Sequence, residues 1–268
     1  MIKYGFIGCG NMGGALVRAA SNAVTPDDIY VNDFFAAKVD ELKSECGVSG
    51  ADNNYIASSC NFIVLGAKPQ TLLVELLPSI ADILKARSDD FVLVSMAAGI
   101  HISQIRDAVG FDCPIIRIMP NTPASVGEGM MVYCKNELVS EDNENEFKTL
   151  FSRSGKIDSL DEKYFDAATA VMSCGPAFVY LFMEALADGG VKCGLPRDKA
   201  LLYAEQMIKG AAQTALVTGK HPGVLKDAVC SPNGSTIEGV IALEDRGFRG
   251  AATNAVIKSY ERNKELGK

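Results

Sequence analysis

The sequence predicts an α/β protein with a doubly wound parallel sheet in its N-terminal half and an all-helical C-terminal domain. Three observations predict this. Short, continuously apolar runs alternate with longer amphipathic ones over the first half; Gly8, Gly10 and Gly13 stand between the first such run and the first helical pattern; and near Gly155 the period turns from strand-like to helical. Together they describe a Rossmann-type dinucleotide-binding domain at residues 1–155 and a helical domain at residues 156–268.

The elements follow in order. "KYGFIG" precedes "NMGGALVRAASNA", "DIYVND" precedes "FAAKVDELKSE", "NFIVLGA" precedes "QTLLVELLPSIADILK", "DFVLVSMAAG" precedes "ISQIRDAV", and "CPIIRIMP" closes the series. Strands buried on both faces read as unbroken Val, Ile, Leu and Phe, and the intervening helical patterns imply parallel crossovers. After "GMMVYC" and the acidic "SEDNENE" the strand signal fades, apart from a short edge-strand pattern around "GKIDSL". From about Asp161 onward, apolar residues recur at three- and four-residue spacing with Gly and Pro at the joints. The run "PAFVYLFMEALADGGV" is apolar nearly all round, so its helix needs cover on most faces, and a partner subunit is the expected source.

The balance of residues is that of a soluble globular protein: 268 residues, 48% hydrophobic, 22% charged, net charge -7. Scattered Lys and Arg on an acidic chain argue against nucleic acid as a partner. No apolar run approaches the ~20 residues that span a bilayer, so no membrane is expected. "MIKYGFIGCG" lacks the build of a secretory signal, and the expected location is the cytoplasm. The eight cysteines form no C-x-x-C pair, and with only two histidines beside them the expectation is reduced thiols and no metal.

"GFIGCGNMGG" sets Gly8, Gly10 and Gly13 in G-x-G-x-x-G spacing, with Asn11 and Met12 inside the same loop. Gly8 allows the tight turn, Gly10 lets the backbone approach a pyrophosphate, and Gly13 lets helix pack on strand, while the helix N-terminus favours phosphate charge. The alternative is a tight strand-to-helix turn with no ligand. Asn32 and Asp33 end the second strand in "IYVND", where an acid accepts hydrogen bonds from an adenosine ribose or, alternatively, caps the following turn. "AKPQ", "MAAG" and "MPNTP" lie at the carboxyl ends of later strands, the ligand-binding edge of such sheets.

With "GPAFVYLFMEALADGGVKCGLPRDKA" and "SPNGSTIEG" added to these motifs, the chain resembles pyrroline-5-carboxylate reductase from its first strand to its last helix. The resemblance implies NAD(P)H-dependent reduction of 1-pyrroline-5-carboxylate to L-proline, the last step of proline biosynthesis, by hydride transfer to a cyclic imine carbon. In that family the pattern read here as "SPNGST" is usually Ser-Pro-Gly-Gly, any residue, Thr. The match falls on Ser231, Pro232, Gly234 and Thr236; Asn233 replaces a glycine, and Asn is among the few other types that adopt positive φ readily. "MSCGPA" departs similarly at Met172 and Ser173.

The resemblance makes Ser231, Gly234, Ser235 and Thr236 substrate-binding residues. Backbone N–H groups of Gly234, Ser235 and Thr236 would cradle the substrate carboxylate at a helix start, and the Thr236 hydroxyl would orient the imine nitrogen as the catalytic group. A plain helix cap by Ser231 or Ser235 describes much of the same geometry. Asn53, Ala67, Lys68, Pro69, Ala97 and Ala98 are carried over as further cofactor contacts. His221, ahead of Pro222, is expected to cap a helix rather than to catalyse.

Asp33 leans the cofactor expectation toward NADH, with NADPH the alternative: a carboxylate repels a 2′-phosphate but accepts from a free 2′-hydroxyl. No arginine is near, and Lys38 is expected to lie further along the next helix. The expected assembly is a homodimer, with a larger ring of dimers as its extension. Two rivals stay open. A hydroxy-acid dehydrogenase would need a helical catalytic lysine, for which Lys192 and Lys209 are candidates in unfitting surroundings; a non-catalytic nucleotide sensor would not need the "SPNGST" loop.

Overall fold

The computed structural model describes residues 1–266. Strands β1 (Tyr4–Ile7), β2 (Ile29–Asn32), β3 (Ser49–Gly50), β4 (Phe62–Leu65), β5 (Val92–Ser95), β6 (Ile115–Met119), β7 (Gly129–Lys135) and β8 (Gly155–Ser159) form one sheet. Their order is β3-β2-β1-β4-β5-β6-β7-β8, and adjacent strands run parallel except β6 against β7. The chain therefore winds outward in opposite directions from β1 and β4. Gly155, where the sequence period changes, is the first residue of β8.

The predicted two-sided burial explains how the sheet is covered. Along β4, Phe62 and Val64 join one apolar cluster while Ile63 and Leu65 join another. The first cluster takes Leu16, Val17 and Ala20 from α1 (Asn11–Ser21). The second takes Ile56 and Ala57 from α3 (Asn53–Ser59) and Leu77, Ile80 and Leu84 from α5 (Leu77–Lys85). Between these helices lie α2 (Ala36–Cys46) and α4 (Pro69–Thr71), the latter joined to α5 by a π-helical turn at Leu72–Leu76. Ile105 and Val109 of α6 (Ile102–Val109) complete the second layer, and Phe147 and Leu150 of α7 (Glu141–Leu150) complete the first. Each fully buried Val, Leu, Ile or Phe among them contributes about 1.5–3 kcal/mol.

Among the described residues, one buried charge breaks the apolar pattern. Arg117 on β6 is 1% exposed; its guanidinium donates to Glu162 Oε1 at 2.9 Å and lies 4.7 Å from the Phe165 ring centroid, with His101 Nδ1 3.1 Å away. Glu162 Oε1 also accepts the Ile102 N–H at 2.9 Å, so one ion pair ties the start of α6 to the segment leading into α8 (Phe165–Ala168).

The chain divides into two compact units, Met1–Ser173 together with the last helix from Tyr260, and Cys174–Ser259. The second unit contains α9 (Gly175–Lys192), α10 (Arg197–Thr218), α11 (Pro222–Ala228), α12 (Ser235–Asp245) and most of α13 (Phe248–Leu266). Helices α9 and α10 meet at small residues: a Cβ on Gly190 would stand 3.2 Å from Ala200 Cβ. Among the described residues of this unit, the buried apolar ones are Ala187, Ala200 and Ala204, while Tyr180, Leu181, Leu202, Tyr203, Leu216 and Val217 are exposed. A helical unit with so small a core of its own leaves its apolar faces to be covered from outside.

The stretch Glu162–Lys192 corrects one sequence expectation, because it is long and apolar enough to cross a membrane by length and composition. Its charges sit at its ends, so a window inside it meets the hydropathy test that the broken-up sequence runs concealed. The eight cysteines are all free, and burial pushes the Cys60 thiol up to about 12 and Cys113 up to about 11.

Candidate functional site

The glycine loop lies where the strand order reverses, between the carboxyl ends of β2 and β4. Gly8 (φ 98°) donates its N–H to Asn32 O at 2.8 Å, and a Cβ there would stand 2.5 Å from Gly66 C. A Cβ on Gly13 would stand 2.1 Å from Gly8 O. Both glycines are thus required by the protein's own packing. Gly10 is different: it caps α1 in an extended conformation open to any residue, and a Cβ on it would meet nothing within 4 Å. The space beyond Gly10 is open, as a cradle for a pyrophosphate requires, and the α1 cap carries no side-chain hydrogen bond that would compete for its first N–H groups.

Asp33 braces this loop. Its Oδ2 accepts the Cys9 N–H at 2.6 Å and its Oδ1 accepts the Phe35 N–H at 2.9 Å. Next to it, Asn32 Nδ2 donates to Asn53 Oδ1 at 2.6 Å, joining the end of β2 to the start of α3. Burial, with the negative Asp33 second, pushes the Cys9 thiol up to about 12. The thiol donates to Asn32 O at 3.5 Å and stays neutral, a packing group rather than a nucleophile.

A cavity of about 820 Å³ opens over these groups and brings together Gly8, Gly10, Asn32, Asp33, Asn53, Ala67 and Lys68. Gly13 lies buried beneath the loop, Asn11 is exposed at the start of α1, Met12 is half-buried, and Pro69 begins α4; these do not line the cavity. Nor do Ala97 and Ala98: Ala97 is packed in the second core cluster, and Ala98 is exposed in the turn after β5.

The lining also includes residues that the sequence reading did not assign to the site, among them Phe34, Phe35 and Lys38. Lys38 lies in the helix after Asp33, as expected, but in its first turn, where it lines the same cavity while its ammonium stands 3.4 Å from Glu41 Oε2. The available signal was the unbroken "DFFAAK" directly after the strand.

In the second unit, Ser231 to Gly234 form a tight turn closed by Gly234 N–H donating to Ser231 O at 3.0 Å. Asn233 is the one non-glycine residue with positive φ among the described residues, at 57°, as expected for a residue standing in a glycine's place. A Cβ on Gly234 would stand 2.4 Å from Ser231 Oγ, so a side chain there would displace the Ser231 hydroxyl. It begins α12 with no side-chain cap, so neither Ser231 nor Ser235 spends its hydroxyl on the helix start. Ser235 and Thr236, the first residues of that helix, are exposed. His221 behaves as expected: its Nδ1 accepts the Gly223 N–H at 3.0 Å and caps α11.

Known families match both ends of the chain. Residues 162–266 match the family described as pyrroline-5-carboxylate reductase dimerisation, and residues 3–99 match one described as NADP oxidoreductase, coenzyme F420-dependent. The chain is 38% identical over 268 residues to the pyrroline-5-carboxylate reductase of Escherichia coli K12, covering 99% of this chain and 98% of that one. A solved pyrroline-5-carboxylate reductase from Coxiella burnetii superposes with a TM-score of 0.90 at 31% identity, covering 100% of this chain and 99% of the other. The Plasmodium falciparum pyrroline carboxylate reductase, solved with NADP bound, gives a TM-score of 0.86 at 33% identity, covering 100% of this chain and 98% of the other.

Proposed function

Since the chain belongs to the pyrroline-5-carboxylate reductase family, we propose that it reduces 1-pyrroline-5-carboxylate to L-proline with NAD(P)H. The full-length likeness to the E. coli reductase carries this reading. When bound, a reduced nicotinamide would supply the hydride that the imine carbon accepts.

The chain's own residues hold the reactants. Gly8, Gly10, Asn11, Met12 and Gly13 form the pyrophosphate loop at the start of α1, and the open space at Gly10 fits a group that a side chain there would displace. Asn32, Asp33 and Asn53 take the adenosine ribose; Ala67, Lys68 and Pro69 border ribose and phosphate; Ala97 and Ala98 offer backbone on the nicotinamide side. The preferred cofactor is NADH. Each Asp33 oxygen already accepts one backbone N–H and keeps a further lone pair for a 2′-hydroxyl, while Lys38 in the same cavity is the group that works against this preference.

Ser231, Gly234, Ser235 and Thr236 hold the substrate. The uncapped N–H groups of α12, with the partial positive charge of a helix start, suit its carboxylate. The Thr236 hydroxyl accepts from the protonated imine nitrogen and holds the ring in orientation. The positive charge on that nitrogen makes the adjacent carbon a better hydride acceptor, so Thr236 acts on the reacting bond without titrating.

The first unit, which keeps the whole sheet through β8 and so extends past the expected boundary at 155, serves as the cofactor domain, and the helical unit as the dimerisation and substrate domain. The homodimer, which the dimerisation match supports, covers the exposed apolar helices of the second unit with protein rather than lipid. A ring of dimers in the cytoplasm is the fuller assembly proposed.

The test is oxidation of NADH and NADPH by the purified protein, with 1-pyrroline-5-carboxylate or a series of oxo acids as acceptor. Turnover with the cyclic imine alone is expected. Turnover with oxo acids and none with the imine would overturn the reading.

A further inference from the structure

Phe34 and Phe35 are 95% and 67% exposed, with ring centroids 5.3 Å apart and planes at 88°. Aromatic rings are among the strongest contributors to buried contact area, so two adjacent ones left in water need a reason. Phe35 also occupies the N-cap of α2 without any side-chain cap hydrogen bond, a position where Ser, Thr, Asp or Asn would stabilise the helix. Local structure thus gains nothing from a phenylalanine there. What both rings do share is the cavity lined by Gly10, Asp33 and Asn53. Their backbone is held toward it, because Asp33 Oδ1 accepts the Phe35 N–H at 2.9 Å.

We propose that Phe34 and Phe35 are positioning residues that hold the purine base of the dinucleotide, one ring stacking on its face and the other closing its edge. This rests on reading the glycine-loop cavity as the dinucleotide site. The purine is the part of the cofactor with an aromatic face, and it is joined to the ribose assigned to the neighbouring Asp33. An edge-to-face pair presents one π-face beside one ring edge, the two surfaces on which a flat heteroaromatic base packs. The pair takes no part in hydride transfer and acts on cofactor affinity alone.

The chain contains no tryptophan, so Phe34→Trp installs a single tryptophan, whose emission is excited selectively beyond the tyrosine absorption. Titration of that variant with ADP-ribose, which has the purine and no nicotinamide, should quench its emission, whereas ribose 5-phosphate should not. Calorimetry with ADP-ribose on the double variant Phe34→Ser, Phe35→Ser should show binding about tenfold weaker than wild type, the size of one base–aromatic stack. Serine at 35 supplies the missing cap, so this variant should fold and dimerise normally. Its KM for the dinucleotide should rise with kcat unchanged, and its KM for reduced nicotinamide mononucleotide, which lacks the purine, should not move. Unchanged ADP-ribose affinity in the double variant would overturn the proposal, as would an equal loss with the mononucleotide. Wild-type protein that fails to bind ADP-ribose at all would remove the dinucleotide reading itself, and this proposal with it.

Discussion

Asp33 Oδ2 accepts the Cys9 backbone N–H at 2.6 Å, so the end of β2 clamps the turn that follows β1. The residue expected to meet the ribose therefore also holds the phosphate loop in shape. Asp33→Arg should have two separable effects. The ratio of kcat/KM for NADPH over NADH should rise, because a cation replaces a carboxylate beside the 2′ position. Both values should also fall, by about tenfold, because a loop N–H loses a charge-assisted partner. Steady-state kinetics with each cofactor checks this, and a wild-type kcat/KM higher for NADPH than for NADH would refute the proposed NADH preference.

Thr236→Ala should lower kcat by about 10²-fold or more while leaving the thermal midpoint unchanged, since an exposed hydroxyl at a helix start carries no packing. Thr236→Ser keeps the hydroxyl and should lose far less. Near-normal kcat in the alanine variant would remove Thr236 from the mechanism.

Light scattering should find a dimer at micromolar concentration, and Leu181→Asp on α9 should disrupt it. Leu181 is 68% exposed within the chain, and a carboxylate buried unpaired at an interface costs several kcal/mol. A stable, fully active monomer would contradict the shared-interface reading.

Arg117→Ala should cost about 3 kcal/mol in urea unfolding, the low end of the range for breaking a buried ion pair, because Glu162 is 30% exposed and is partly solvated when left alone. Glu162→Gln, which keeps an acceptor for the guanidinium and the Ile102 N–H, should cost less.

Hydrogen bonds from Lys135 and Lys148 hold the Glu144 carboxyl at about 2, below its ordinary 4.5. Because the folded-state value is the lower one, the stability it contributes is complete above the ordinary carboxylate range and disappears as pH falls toward 2. Glu144→Gln should therefore lower the urea midpoint at about pH 7 and make little difference at about pH 2. A difference that persists undiminished in acid would show that packing, not charge, is what the substitution removes.

Several features were legible in the linear order of residues. Strands covered on both faces must be largely apolar, so β1, β4 and β5 stand out as apolar runs, and β6 does so apart from Arg117. The glycines of the first turn and the positive φ of Asn233 are backbone requirements written one residue at a time. The exposed faces of α9 followed from a helix apolar on every side. Tertiary closure alone decided the rest. The antiparallel turn of β7, the two-residue β3, the clamp of Asp33 on Cys9, the single cavity shared by Asp33 and Lys38, and the pairing of Arg117 with Glu162 all join groups from different elements. Periodicity records which way a side chain faces along its own element. It does not record which partner comes to meet it, and Arg117, a charge inside an apolar run, could be understood only once Glu162 and Phe165 stood beside it.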